Sequence, residues 1–175
     1  MPSPIGHTLA GCAVALALIP PGIPQAWEAW ACCLISANLP DVDFIPGLLT
    51  GNPRAFHRGA SHTIVAAFIV AAIGASRWTW SAMPWLVRAG LIFVAYASHV
   101  GLDYFTPGRG LLMGWPLSRR RYQAERPWFL SVTIRKTRHH VKMRGGRWQN
   151  LRAIRREILL MSPVVIILAL ASKLS

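Results

Sequence analysis

Four short stretches hold most of the residues able to do chemistry. Pro40-Asp41-Val42-Asp43 sets two carboxylates on either side of a single residue, where they repel each other unless a cation or a proton lies between them. His57-Arg58-Gly59-Ala60-Ser61-His62 sets two imidazoles four residues apart, able to reach one ion from a turn and the helix start that follows. Ser61 is a candidate cap for that helix, and Gly59 permits a tight backbone. His99-Val100-Gly101-Leu102-Asp103 puts an imidazole and a carboxylate at i and i+4, on one helical face. That spacing suits two ligands of one ion, or a carboxylate that orients a ligating histidine. His7 stands near the start of an apolar stretch. Each stretch alone also has a plainer reading. The aspartates can be a helix-terminal turn, His57 and His62 interfacial residues, His99 and Asp103 a metal-free pair, and His7 a packing residue.

What would bring these residues together is a set of helices. Only 14% of the 175 residues are charged, against 53% apolar, and the mean hydropathy is +0.37. Ordinary soluble proteins carry roughly 25% charged residues. The charge present is lopsided, with 19 Lys+Arg against 6 Asp+Glu. Five apolar segments stand out, at 5–19, 27–40, 63–76, 85–104 and 151–172. The expected fold is therefore all-α: one integral-membrane domain over residues 1–175, a polytopic transmembrane bundle of about five helices with a basic cytoplasmic loop at 105–150. Several segments are short for a full crossing and would tilt or start at the interface. A buried soluble bundle is the alternative, but it would need one polar face on each helix, and these helices lack it. Ala66, Ala67, Ala71, Ala72, Gly74 and Ala75 favour close helix–helix approach in lipid.

The basic residues orient the bundle. Fourteen of the 19 Lys+Arg lie between Arg109 and Arg156, and positive loops stay in the cytoplasm. Counting back through the helices puts the N-terminus and the 41–62 loop inside, and the C-terminus outside. Trp27, Trp30, Trp78, Trp80 and Trp85 then fall near the outer surface, as an aromatic belt would. The same topology, built without reference to His or Asp, gathers His7, Asp41, Asp43, His57, His62, His99 and Asp103 at the cytoplasmic face. An ionisable group at membrane depth is costly and usually functional. Four histidines and three aspartates exceed the needs of one zinc, and can hold one or two ions with a bridging carboxylate. Mixed imidazole and carboxylate ligands suit a divalent transition metal, zinc or manganese foremost, better than calcium.

Other features are plainer. Cys12, Cys32 and Cys33 lie in apolar runs without zinc or disulfide spacing, and read as small packing residues. Residues 9–19 resemble the core of a signal peptide, but no Lys or Arg precedes them, so a retained helix is expected. His139 and His140 sit among cations and read as surface residues.

The motifs also follow a known order: an N-terminal His, Pro-Asp-x-Asp, His-Arg-Gly-x-Ser-His, His-x-x-x-Asp-x-x-Thr, then Trp-Pro-x-Ser-Arg-Arg-Arg-Tyr. Here these are His7, Pro40 to Asp43, His57 to His62, His99 to Thr106 and Trp115 to Tyr122. The pattern resembles the membrane-bound metal-dependent hydrolase family, also described as LexA-binding, inner-membrane-associated hydrolases. Phe44 and Pro116-Leu117 are small departures that leave the inferred ligands intact. The resemblance covers about residues 1–122 and fades beyond.

The resemblance implies a hydrolase of the bacterial inner membrane, without naming a substrate. Metal coordination lowers the pKa of water from 15.7 toward about 7, giving a nucleophile for an electrophile such as a phosphoester. The expected core ligands are His62, His99, Asp43 and Asp103, with Asp41, His57 and His7 completing a second ion or an outer shell. Asp41 is also the expected general base, and Arg58 the group that stabilises negative charge on the attacked centre. A lipid or lipid-linked substrate follows from the site's depth. Arg119, Arg120 and Arg121 could hold anionic headgroups there, although topology alone also accounts for such runs. Two other classes compete. One is a non-catalytic tether or scaffold that binds anionic lipid or nucleic acid through the basic loop. The other is an ion carrier, which would need polar residues in the outer halves of the helices, where there are almost none.

Overall fold

The computed structural model describes residues 3–20, 26–52, 56–77, 83–130, 133–137, 140–144 and 147–174. Five helices of 13 to 28 residues form the body: α1 (Pro4–Leu18), α2 (Ala26–Asn38), α4 (Ile64–Arg77), α5 (Trp85–Tyr104) and α6 (Arg147–Leu174). Between α2 and α4 lie a tight 3-10 turn at Leu39–Asp43, a short α3 (Phe44–Leu49) and a second 3-10 turn at Ala60–His62. Each long helix coincides with an apolar segment of the sequence, to within a few residues at its ends.

α5 packs against α1, α2 and α4, and α1 also packs against α2 and α6. Where the helices meet, the side chains are small. Ala67, Ala71 and Ala75 are buried along one face of α4, as are Ala15, Ala29, Cys32, Cys33 and Ala95 elsewhere. A Cβ on Gly74 would come within 2.8 Å of Ile92, so its absence lets α4 approach α5. Outward-facing positions are large and apolar: Phe68, Ile69 and Ile73 on α4, Leu86 on α5, and Leu159, Ile166, Ile167 and Leu170 on α6. Small residues inside and large apolar residues outside invert the pattern of a water-soluble core, and suit helices packed in lipid. The three cysteines are unpaired and two are fully buried, in keeping with packing roles.

Among the described residues, two stretches are long and apolar enough to cross a membrane: Trp27–Leu49, which includes α2 and α3, and α5. α1 and α4 are apolar but shorter. α6 is long, yet its first half carries Arg152, Arg155, Arg156 and Glu157. Trp27 and Trp85 are exposed, at the end of the bundle opposite the aspartates; Trp78 and Trp80 lie outside the described residues.

The 105–150 region departs from an all-α fold. It holds an antiparallel ribbon of β1 (Thr133–Thr137) and β2 (His140–Arg144), paired from Thr133↔Arg144 to Thr137↔His140. Residues 105–130 fold back on the helix ends. Leu111 and Tyr122 exchange backbone hydrogen bonds at 2.9 Å, Ala124 N–H donates to the Tyr104 carbonyl at 3.1 Å, and Ile64 N–H donates to that of Met113 at 3.2 Å.

Candidate functional site

Four helix ends meet on one side of the bundle: the starts of α1 and α4 and the finishes of α2 and α5. Each brings part of the site. Ser3 caps α1 and Pro4 opens it, which places His7 in the first turns with its backbone N–H on the Ser3 carbonyl, at 3.3 Å. Asn38 ends α2 and ties it to α1, its amide donating to Leu34 O at 2.9 Å and Thr8 Oγ1 at 3.2 Å. The 3-10 turn then presents Asp41 and Asp43. His57 and His62 come from the segment before α4, which Tyr96 anchors by donating its hydroxyl to the Ser61 carbonyl at 2.5 Å. His99 and Asp103 project from the last turns of α5.

All seven residues converge. His7, His62, His99 and Asp103 are fully buried, while the side chains of Asp41, Asp43 and His57 are 18, 11 and 11% exposed and form the open side. Three overlapping groups have ligand atoms within 4.8 Å of one another: His7, Asp41 and His99; Asp41, His57 and His62; His62, His99 and Asp103.

The hydrogen bonds assign the imidazole faces. His99 Nδ1 lies 2.8 Å from the Ala37 carbonyl, which only accepts, so Nδ1 carries the proton and Nε2 presents a lone pair. His62 Nδ1 lies 3.1 Å from Asp43 Oδ2, leaving its Nε2 likewise turned inward. The two Nε2 atoms are 3.2 Å apart. Asp103 Oδ2 is 3.3 Å from His62 Nε2, and Asp41 Oδ1 is 3.5 Å from His99 Nε2. Two ring nitrogens and two carboxylates thus point into one small volume. Burial disfavours charge on His62, but its hydrogen bonds to Asp103 and Asp43 outweigh this and raise its pKa to about 9. Without a cation, a proton on His62 is what relieves the repulsion. His7 stacks on His99 with ring centres 3.6 Å apart. Both of its nitrogens, together with Asp41 Oδ1 and His57 Nε2, are buried without a hydrogen-bond partner, a costly state for polar atoms.

Three side chains take positions that the sequence alone did not specify. Asp43 lies behind the histidines, on His57 Nδ1 at 3.2 Å, on His62 Nδ1 and on the Ser61 hydroxyl at 2.5 Å, so it orients the two imidazoles. Asp41, expected to complete a second ion or an outer shell and to act as base, belongs to two of the three groups. Arg58 turns away from the open side. Its Nε and Nη2 donate to Asp103 Oδ2 and Oδ1, both at 3.0 Å, and Nη1 donates to Thr106 O at 3.4 Å. This geometry requires a left-handed backbone, φ 62° at Arg58, and the bare Cα of Gly108, where a Cβ would overlap the guanidinium.

Glu157 was missed. It is fully buried on α6, and its carboxylate accepts from Ser3 N–H at 2.8 Å and from the Ser3 hydroxyl. A Cβ on Gly6 would meet it at 2.9 Å. Glu157 therefore clamps the start of α1 one residue from His7. As one of only six acidic residues, it carried the same rarity signal as the aspartates. Of the basic-loop histidines, His139 lies outside the described residues and His140 opens β2.

No match was found among curated proteins or among solved structures. The sequence profile of the YdjM inner membrane protein family spans residues 1–174, and the chain belongs to that family of inner membrane proteins.

Proposed function

We propose that the chain is a multi-pass membrane hydrolase whose His/Asp site holds a divalent transition metal at the cytoplasmic face. Zinc and manganese are the ions of choice. The observation that carries the reading is the set of inward-facing atoms on His62, His99, Asp103 and Asp41. Two ligands about 2.0–2.1 Å from a tetrahedral ion lie about 3.3 Å apart. The separations here are 3.2, 3.3, 3.5 and 3.8 Å, the longest between His62 and Asp41. Charge agrees: three aspartates and Arg58 leave two net negative charges, which one divalent ion balances. His57 and His7, with unpartnered nitrogens beside Asp41, offer places for a second ion or for substrate groups.

The metal would supply an acidified water for attack on a phosphoester, with a lipid or lipid-linked phosphoester preferred because the site opens among helix ends. The chain's own residues do the rest. Asp43 and the Ala37 carbonyl fix the His62 and His99 tautomers, so both present Nε2. Arg58 offsets the charge of Asp103, which limits the repulsion among the three carboxylates. Asp41, beside the open side, is placed to hold a proton released there. On this reading α1, α2, α4, α5 and α6 all cross or enter the bilayer and the C-terminus is periplasmic. A cysteine at Ser175 should react with impermeant reagent from the periplasmic side, and labelling from the cytoplasm would refute the topology.

The activity test uses protein purified in detergent and loaded with zinc or manganese, incubated with lipid phosphomonoesters and phosphodiesters in mixed micelles. Metal-dependent release that disappears in His62→Ala and Asp41→Ala is the expected result. No hydrolysis of either class by metal-loaded protein would refute the phosphoester reading.

A further inference from the structure

Among the described residues of the cluster, Asp41, Asp43 and His57 are the partly exposed ones and mark its open side. A substrate that approaches there meets Arg109, and Arg121 lies close enough to Arg109 for their charges to interact. Arg109 donates from Nη2 to the backbone carbonyl of His57. Arg121 donates from Nη1 to the carbonyl of Gly110, the residue after Arg109, at 3.1 Å. The Leu111–Tyr122 pairing holds the two segments in register. Gly110 adopts φ 73°, and a Cβ on it would lie 3.1 Å from Arg121 Cβ, so the close approach depends on glycine. Both arginines are exposed residues. Partial burial, then the like charges of Arg121 and Arg58, work against charge on Arg109, while Asp43 favours it. The backbone pairing thus sets Arg121 near Arg109, whose guanidinium rests on the His57 carbonyl at the open side. Arg58, the arginine that sequence reasoning chose for this task, is occupied by Asp103.

We propose that Arg109 and Arg121 form an anion subsite that takes the non-reacting phosphate oxygens of the substrate and presents its phosphorus to the open side of the site. Guanidinium groups suit this because their paired N–H donors match phosphate oxygens. The subsite deepens the hydrolase reading and rests on it, since it gives that site its substrate class, an anionic phosphoester. Arg109 also offsets the charge of Asp43, a carboxylate on the side where the ligand enters.

The test measures binding of two probes, inorganic phosphate and short-chain phosphatidic acid, to manganese-loaded protein in zwitterionic detergent. Arg109→Ala and Arg121→Ala should each weaken binding about 10- to 100-fold, the loss of a charged hydrogen-bonding partner. Arg109→Lys should recover part of it, Arg126→Ala should leave it unchanged, and metal content should match wild type throughout. Weakening with both probes identifies the phosphate as the recognised group; weakening with phosphatidic acid alone makes a lipid headgroup the ligand. Unchanged affinity in the Arg109 and Arg121 variants would overturn the proposal. So would equal weakening in Arg126→Ala, or no binding of either probe to metal-loaded wild type. Wild type without metal would instead fail the reading beneath it, which the metal content reports separately.

Discussion

Replacing Arg58 by glycine acts in two opposite directions, and the balance can be worked from the structure. The guanidinium makes a two-point ion pair with Asp103, both contacts at 3.0 Å, and the two side chains are 4% and 0% exposed. Removing one member of a buried pair leaves the other charge uncompensated and costs about 3–5 kcal/mol. Glycine also relieves a left-handed backbone, φ 62°, which costs an L-residue about 1–2 kcal/mol. The metal-free variant should therefore be less stable by about 1–4 kcal/mol, the difference between those two terms. Metal loading should shrink the loss, because a cation beside Asp103 takes over the work of the guanidinium. Denaturant unfolding in mixed micelles, followed by tryptophan fluorescence with and without manganese, measures both quantities. A loss below about 0.5 kcal/mol, the range of ordinary surface substitutions, would refute the claim that Arg58 serves Asp103. A loss unaffected by metal would refute the claim that a cation sits beside that carboxylate.

Two further outcomes follow from the same contacts. Glu157→Ala should destabilise the protein by about 1–3 kcal/mol, because Ser3 loses its buried acceptor. Glu157→Gln should lose less, and both should weaken metal affinity only while His7 is present, so equal weakening in a His7→Ala background would show that Glu157 does not act through His7. For pH, His62 has a folded pKa of about 9 against 6.5 for the free group. Its contribution to metal-free stability is therefore fully present below about pH 6.5 and is lost as pH rises through about 9. Chelator-treated protein should unfold more easily at pH 9.5 than at pH 6.5, and metal-loaded protein should not show that loss. The opposite trend in the chelated protein would show that His62 is not held by Asp103 and Asp43.

Much of this arrangement was readable in the sequence for a physical reason. Helices in lipid need long apolar runs, so α5 is legible at Trp85–Tyr104 without reference to tertiary structure. The positive charge of the 105–150 region then fixes which helix ends lie together, and those ends carry His7, Asp41, Asp43, His57, His62, His99 and Asp103. What composition and spacing cannot carry is side-chain direction. Asp41 and Asp43 differ by two positions in a 3-10 turn, and only the turn geometry decides which faces the ligand cluster and which backs the imidazoles. Arg58 reaches Asp103 across 45 residues because its backbone is left-handed, a conformation that no motif around it announces. Glu157 and Ser3 are 154 residues apart, beyond any local rule. The β1–β2 ribbon is built from Lys- and Arg-rich strands such as Thr133-Ile134-Arg135-Lys136-Thr137, which lack the regular alternation of a half-buried strand.

The central claim is that His62, His99, Asp103 and Asp41 are arranged around a cation. Metal content by mass spectrometry on detergent-purified protein, incubated with zinc or manganese and desalted, tests it most directly. Wild type should retain one or two equivalents of metal. His62→Ala and His99→Ala should retain none while still folded by circular dichroism, and Asp43→Ala should keep metal with affinity weakened about 10- to 100-fold, as for a residue that orients ligands. Folded wild-type protein that holds no metal after such loading would contradict the account.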